Sequence, residues 1–235
     1  MNLDLYYFGL DRRNGQFHRG TGLESRHSWG TRLYRATGQT EPVDLDWELV
    51  AQTGTFAGAP VRAWYAASET GYTFQLARLR PRFALKLNAA SGDRNQGSRS
   101  RLGTFNALFP DTRDFREQAF PGPSNVSLVR PLTELRFPIA QRVVNLTLAC
   151  DWFWRTSTAD GIYSFSGVPY PVSRQPAGGG NRFIGIKPAA VAQLPVNRHW
   201  TLTAIWANLF AGAYVKAAFA GRSPSYAGLV LSVRL

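Results

Sequence analysis

The sequence of 235 residues has little with which to build a disulfide, a metal site or a membrane-spanning helix. The one cysteine, Cys150, cannot form an internal disulfide, and we interpret it as a small apolar residue. No run of about 18 apolar residues occurs, which excludes transmembrane helices. Metal-ligand spacings, phosphate-binding loops and GxSxG motifs are absent, so the sequence predicts no metal, no cofactor and no catalytic residue.

Histidine and paired carboxylates also give weak support for catalysis. The histidines are His18, His27 and His199, and none has a serine companion in a motif, as a serine hydrolase would need. Asp46 and Glu48 share one face of a predicted strand, as the paired carboxylates of a glycosidase would need. Ion pairing is the favoured role for both, so we predict a protein that is not an enzyme.

The N-terminal residues MNLDLYYFGLDRR lack the basic segment followed by an apolar segment that marks a secretory signal. A protein that is exported from the cytoplasm needs such a signal. We therefore expect either that a leader has been removed or that the chain is the C-terminal part of a longer protein. The second alternative is favoured because the first residues already alternate as a strand.

Charge is the compositional feature that is abundant. The chain has 27 lysines and arginines against 15 acidic residues, and lysine occurs only at Lys86, Lys187 and Lys216. Arginine stays charged and binds carboxylates and phosphates with two parallel hydrogen bonds, so an anionic partner is indicated. A merely basic surface is the alternative. Nucleic acid is not favoured, because the aromatic residues alternate with most arginines instead of sharing their face.

The segment Arg142–Arg155, RVVNLTLACDWFWR, shows the pattern that predicts the fold. Apolar residues occupy every second position, and mostly polar residues stand between them. Side chains alternate between the two faces of a strand, so this segment has one apolar and one polar face. The apolar face extends over about a dozen residues and ends in Trp152 and Trp154, as expected where lipid chains meet headgroups.

The same alternation predicts about ten strands joined by hairpins. They span residues 2–11, 24–35, 44–53, 61–74, 82–90, 126–137, 142–155, 182–194, 199–210 and 226–235. Residues 13–22 and 211–225 are predicted to be connections, and Ile184 is predicted to share the outer face with Ile186. Neither face of residues 61–74 is clearly apolar.

The connections are predicted to alternate in length. Residues 91–122 and 157–181 form long loops, as does the connection after the ninth strand, and those after the even-numbered strands are short. The connection after the first strand is intermediate, and the one after the third strand is short, against the alternation. This is typical of an all-β, antiparallel, up-and-down transmembrane β-barrel, with long extracellular loops and short periplasmic turns. We predict a single domain over residues 1–235.

Charged residues on the polar face are the candidate site. A channel for an acidic polymer needs fixed positive charge facing water and many weak contacts. The predicted substrate path consists of Arg26, Arg32, Arg82, Lys86, Arg130, Arg136, Arg155 and Lys187. The accompanying lumen acids are Glu24, Asp46, Glu48, Glu134 and Asp151. The alternative is a ladder of cross-strand ion pairs that only fills the interior.

The loop over residues 91–122 is rich in glycine, arginine, aspartate and proline. Loops of this length are functional or disordered. We expect it to fold into the mouth of the pore, and Phe105, Leu108 and Phe109 favour packing.

Several motifs resemble the alginate export (AlgE-like) family of bacterial outer-membrane proteins. The most specific are SGDR (91–94) followed by LGTFNALFP (102–110), and DWFWR (151–155) followed by DGIY (160–163). The resemblance implies a monomeric barrel of about eighteen strands in the outer membrane, in contact with lipid. It implies an anionic polysaccharide as substrate and periplasmic secretion proteins as partners. A general anion-selective porin and, less favoured, a barrel-embedded hydrolase stay as alternatives.

Overall fold

The structure is a computed structural model that describes residues 1–36, 42–75, 79–95, 100–109, 120–139, 142–171, 180–219 and 223–234. These ranges contain one antiparallel sheet of eleven strands and one short helix. The elements are β1 (Asn2–Phe17), β2 (Gly20–Arg35), β3 (Val43–Phe56), β4 (Ala59–Thr73), β5 (Arg82–Ala90), β6 (Val126–Ile139), β7 (Arg142–Arg155), β8 (Phe183–Pro195), β9 (Trp200–Asn208), β10 (Phe210–Ala211), α1 (Ala213–Ala218) and β11 (Ser225–Val233).

The strands follow each other in chain order across the sheet, from β1 to β9 and then β11, while β10 pairs with β8. The predicted all-β, antiparallel, up-and-down class is confirmed. Within the described residues the sheet is open, because β1 and β11 pair with one neighbour each. The upper end of the sheet carries the connections that follow odd-numbered strands, and the lower end carries those that follow even-numbered strands.

The first hairpin is longer than predicted. Residues 13–17 and 20–22 belong to β1 and β2, so the connection is the two-residue turn His18–Arg19, and the prediction of an intermediate connection is wrong. The segment is polar on average, but its inward-facing side contributes to the core. Phe17 is buried against Phe56 and Tyr163. The polar composition of this segment therefore predicted a connection where the chain forms paired strands.

The end of the chain also differs from the prediction. The predicted strand 199–210 ends at Asn208, and β10 leaves β9 to pair with β8. The predicted connection 211–225 contains α1, whose Tyr214, Val215 and Ala218 are buried. No helix in the described ranges is long and apolar enough to span a membrane.

The two faces of the sheet are unlike. The outer face is apolar and exposed: its members include Leu5, Trp29, Trp47, Leu49, Trp64, Leu85, Leu87, Leu148, Trp206, Leu229 and Leu231. The inner face carries most of the charged side chains of the strands, many of them buried. A protein folded in water would place these faces the other way round.

A bulge corrects one predicted face. Ile184 is fully buried on the inner side with Val126, Leu128 and Phe153, so its predicted outward position is wrong. The register between β7 and β8 shifts next to Gly185, whose φ of 157° is a conformation that glycine adopts easily. The extra residue turns Ile184 inward, while Ile186 stays on the outer face opposite Trp152.

The core lies between the inner face and the loops that cover it. We call the described parts of the β5–β6 and β7–β8 connections, residues 91–95, 100–109, 120–125, 156–171 and 180–182, the loop layer. Leu102 and Tyr163 of this layer pack on β1, β3 and β4, and Phe105 packs on Ala63 and Ala90. Residues 96–99 and 110–119 of the predicted long loop, and 172–179 of the next, lie outside the described residues.

Candidate functional site

A row of charged residues crosses the inner face at one level. Register places Asp46 opposite Glu69, Glu69 opposite Lys86 and Lys86 opposite Arg130, and the row continues through Asp151 to Lys187. The row therefore spans six strands, β3 to β8. Directly opposed side chains in an antiparallel sheet are close enough to form ion pairs.

The part of this row on β6, β7 and β8 is a buried triad of charged side chains. Both Nε and Nη2 of Arg130 donate to the Asp151 carboxylate, the second at 2.7 Å, and Lys187 Nζ lies 3.3 Å from Asp151 Oδ2. The side chains of Asp151 and Lys187 are fully buried, and Lys187 Nζ lies 5.4 Å from the centre of the Phe153 ring. One carboxylate is thus the shared partner of two cations, of which Lys187 is fully buried and Arg130 nearly so.

The part of the row on β3 to β5 joins a cluster centred on Arg82, which lies nearer the lower end of the sheet than the row. Its guanidinium donates to Asp44, with Nε 2.9 Å from Oδ2, and to Glu69 Oε1 at 2.8 Å. Glu134 lies 3.7 Å from the Arg82 Nη1, and Lys86 Nζ lies 3.8 Å from Glu69. Three acids here, on β3, β4 and β6, surround two bases, so this cluster carries a net negative charge.

Two further pairs lie on β2. Arg32 donates to both oxygens of Asp46, at 2.6 and 2.5 Å, in a pair that is about one third exposed. Arg26 is fully buried and donates to Glu24 and Gln52, each at 2.7 Å, and to the Thr104 carbonyl at 3.0 Å. The first pair faces the open interior, and the second fixes the loop layer to the sheet.

Arg155 and Arg136 differ from the other predicted cations in their surroundings. Arg155 donates to the carbonyls of Thr158, Asp160 and Asn181, and its guanidinium lies 4.0 Å from the centre of the Tyr214 ring. Arg136 lies at the lower end, where it lines a cavity. Arg155 therefore fastens a loop, while Arg136 keeps an available charge.

The cavity at the lower end has a volume of about 790 Å³ and is an open part of the inner face. Its charged lining comprises Arg32, Arg35, Arg80, Arg82, Lys86, Arg136, Asp44, Asp46, Glu48, Glu69 and Glu134. Among the described residues Arg80, like Arg136, has no acidic partner. The cavity is large enough for a sugar unit, and both signs of charge reach into it.

The alternation did not indicate four of the charged lining residues, and the first of them, Arg35, ends the second predicted strand at an outward position. Asp44 was placed at the start of a strand but not among the lumen acids, and Glu69 belongs to β4, where neither face is clearly apolar. Register assigns the faces of β4: Trp64 and Tyr72 point outward, and Glu69 inward. Arg80 lies in a connection and carries no periodic signal. Glu48 also differs from the ion-pair expectation, because it accepts a hydrogen bond from Tyr6.

The loop layer is held by one buried carboxylate. Asp160 accepts hydrogen bonds from the Asp93 N–H at 2.8 Å, the Gly161 N–H at 2.9 Å, the Thr104 hydroxyl at 2.6 Å and the Tyr163 hydroxyl at 2.8 Å. Burial raises the pKa of Asp160, while the donors favour its charged form. Burial, together with Asp160, raises the pKa of Tyr163 well above its usual range, which keeps its hydroxyl a donor.

Additional hydrogen bonds tie this layer together. Asn125 Nδ2 donates to the carbonyls of Ser157, Asp160 and Gly161. Arg19, in the first hairpin turn, donates to Asp93, with Nε at 2.8 Å from Oδ2. In the part of the chain that the structure describes, no cluster of three or more His, Cys, Asp or Glu residues is arranged to hold a metal ion.

An antiparallel sheet with an exposed apolar face and a charged, loop-covered inner face defines an outer-membrane β-barrel protein. The alginate export family model matches residues 1–228, and the chain belongs to this family. The search of curated proteins found no match. The protein is accordingly an outer-membrane protein of a family of polysaccharide transport channels, which are not enzymes.

The outer face gives a first prediction. Leu148 lies near the middle of β7 and is 42% exposed on the outer face, where lipid covers it. A Leu148→Lys variant is expected to lose about 2–3 kcal/mol of unfolding free energy, because a charge at mid-membrane depth is poorly solvated. Urea titration of the protein in lipid vesicles measures the loss. Thr147→Lys, its inward neighbour, is the control and is expected to change little. Equal losses in both variants would contradict the assignment of faces.

Proposed function

We propose that the inner face of this sheet forms one wall of a path for exporting an anionic, alginate-like polysaccharide. The eight predicted cations line or support this wall. Seven of them have partners in the described ranges, so their side chains are held in place and the polymer meets a wall of fixed orientation. Fixed groups in a pore bind a passing chain without reorganising, and weak contacts at many points let it leave.

The observation that carries the proposal is the lower cavity with Arg80 and Arg136. These two cations have no acidic partner among the described residues and share one cavity with the paired Arg32 and Arg82. A uronate carboxylate has the geometry to accept two hydrogen bonds from a guanidinium. The lower cavity is therefore where the polymer's charge would be bound.

Planar bilayer recording tests this function. Oligouronate added on the lower side of the sheet is expected to block the ion current, and Arg136→Gln is expected to weaken the block about fivefold, because one charge-assisted contact is lost. Arg142→Gln, at an exposed outer position near the same end, is the matched control and is expected to leave the block unchanged.

The alternatives give different results in the same recording. An anion-selective current with no oligouronate block in the parent protein would indicate a general porin and contradict a polymer path. Recovery of shortened oligouronate would indicate a hydrolase. Equal effects of Arg136→Gln and Arg142→Gln would remove the lower cavity from the path.

A further inference from the structure

A groove on the outer face lies between two tryptophans. Register places Trp29 opposite Ala51, and Ala51 opposite Trp64, so a methyl group stands between two indole rings on three adjacent strands. The groove has a volume of about 460 Å³, and Leu49 and Ala66 belong to its lining. Trp29 and Trp64 are 47% and 44% exposed. Its floor and walls are apolar, as an acyl chain requires.

The next row of the register, toward the upper end, is polar. His27 is opposite Thr53, and Thr53 is opposite Arg62. The Tyr7 hydroxyl is 2.7 Å from His27 Nδ1, which fixes the imidazole and leaves Nε2 turned to other partners. Neighbouring strands are about 4.8 Å apart, so the backbones at His27 and Arg62, two strands apart, are separated by about 10 Å. The arginine side chain is long enough to reach across this distance to a phosphate bound between the two residues.

A second arginine reaches this position from the loop layer. Leu102 pairs with Val61 of β4 and has a fully buried side chain, so its neighbour Arg101 points to the outer side, near Arg62. Both arginines are exposed and, within the described residues, have no acidic side-chain partner. The acidic residue on the outer face of the neighbouring strands is Asp11, and it lies on β1, three strands away from Arg62 on β4.

We propose that this groove and the polar row above it bind one lipid with an anionic phosphate headgroup. The acyl chain would lie between Trp29 and Trp64 on Ala51, and the phosphate would be bound by Arg62 and Arg101, with His27 as a further donor. The occupant follows from charge complementarity and depth. A basic group directly above an apolar groove, at the boundary marked by tryptophans, matches an anionic amphiphile. This lipid site lies on the opposite face of the sheet from the proposed path.

Fluorescence quenching by brominated lipids tests the site. The chain is refolded into dodecylmaltoside micelles and titrated with phosphatidic acid or phosphatidylcholine that carries brominated acyl chains. We expect a saturable quenching component with phosphatidic acid that is lost when both Trp29 and Trp64 are replaced by phenylalanine. Arg62→Gln is expected to raise the phosphatidic acid midpoint about fivefold, because one interfacial arginine is removed, and to leave phosphatidylcholine unchanged.

The groove is tested separately from the headgroup site. Ala51→Leu fills the space between the tryptophans and is expected to weaken quenching by both lipids about fivefold. Ala204→Leu, at an exposed outer position on β9, is the matched control and is expected to have no effect. Circular dichroism checks that each variant has the β-structure of the parent.

Three results would overturn the proposal. Quenching that rises linearly with lipid and does not respond to Ala51→Leu would show partitioning without a site. Equal midpoints for the two lipids, unchanged in Arg62→Gln, would remove the phosphate contact. Competition by inorganic phosphate at the same midpoint would show that the arginines bind a free anion and not a lipid.

Discussion

Replacing Asp151 by alanine is expected to lower the unfolding free energy by about 3–5 kcal/mol. The carboxylate is the shared partner of Arg130 and Lys187, and the side chains of Asp151 and Lys187 are fully buried. Its removal leaves two cations on either side of an empty position, with Lys86 directly opposite Arg130 in the same row. Removing one partner of a buried ion pair lowers the unfolding free energy by more than the intact pair contributes. The remaining charge then has neither its ionic partner nor hydrating water.

Urea titration in lipid vesicles, followed by tryptophan fluorescence, measures this effect. Asp46→Ala is the matched control, because it removes an aspartate from an Arg32 pair that is about one third exposed, and it is expected to cost less than about 1 kcal/mol. Lys187→Met is expected to fall between them, since Asp151 keeps both hydrogen bonds from Arg130. Similar losses for Asp151→Ala and Asp46→Ala would show that water reaches the triad.

Replacing Asp160 by asparagine is expected to release the loop layer from the sheet. Each carboxylate oxygen accepts one backbone N–H and one hydroxyl, so an amide nitrogen in either position leaves a backbone N–H without an acceptor and also breaks the hydrogen bond that the hydroxyl donates. With about 1–3 kcal/mol for each buried donor, the local stability of the layer falls by about 3–5 kcal/mol. The strands stay paired, because the β-ladder does not pass through Asp160.

Hydrogen exchange separates this local effect from global unfolding. In Asp160→Asn the amides of Asp93 and Gly161 are expected to exchange at least tenfold faster, while those of β7 keep the parent rates. Asp11→Asn, at an exposed position on β1, is the control and is expected to leave all rates unchanged. Parent-like exchange in Asp160→Asn would show that Asp160 is protonated in the folded protein, because asparagine then replaces it without losing an acceptor.

The sequence contained the strands and their faces wherever the alternation was clean. The predicted limits of β5 and β7 coincide with the observed ones, and the apolar face of β7 is outward as predicted, because a one-residue slip would invert every side chain. Three local features broke the pattern. Residues 13–22 are polar but paired, Gly185 forms a bulge that turns Ile184 inward, and α1 is a single short helix with a buried face.

The partners of the candidate site were less predictable than its residues. The alternation gave Arg82 and Asp151 as inward residues, but which side chains meet depends on the register between strands, and register depends on turn lengths and bulges. Glu69 was missed because each face of β4 mixes apolar, small and polar residues. Arg26 and Arg155 were predicted along the path, whereas the structure shows both fastening the loop layer. The difference arises from loops that fold back over the strands, which periodicity does not reveal.

The edges of the sheet have a consequence for insertion. Within the described residues, β1 and β11 each have one paired and one free side, and β1 alone is 16 residues long. Free backbone N–H and C=O groups on such an edge are solvated by water, but hydrocarbon offers no replacement, and each exposed group costs several kcal/mol there. Both edges must therefore be hydrogen-bonded to a neighbouring strand by the time the sheet leaves water. Hydrogen bonding of these edge strands, more than the burial of any leucine or tryptophan, would then determine the order of the steps in assembly.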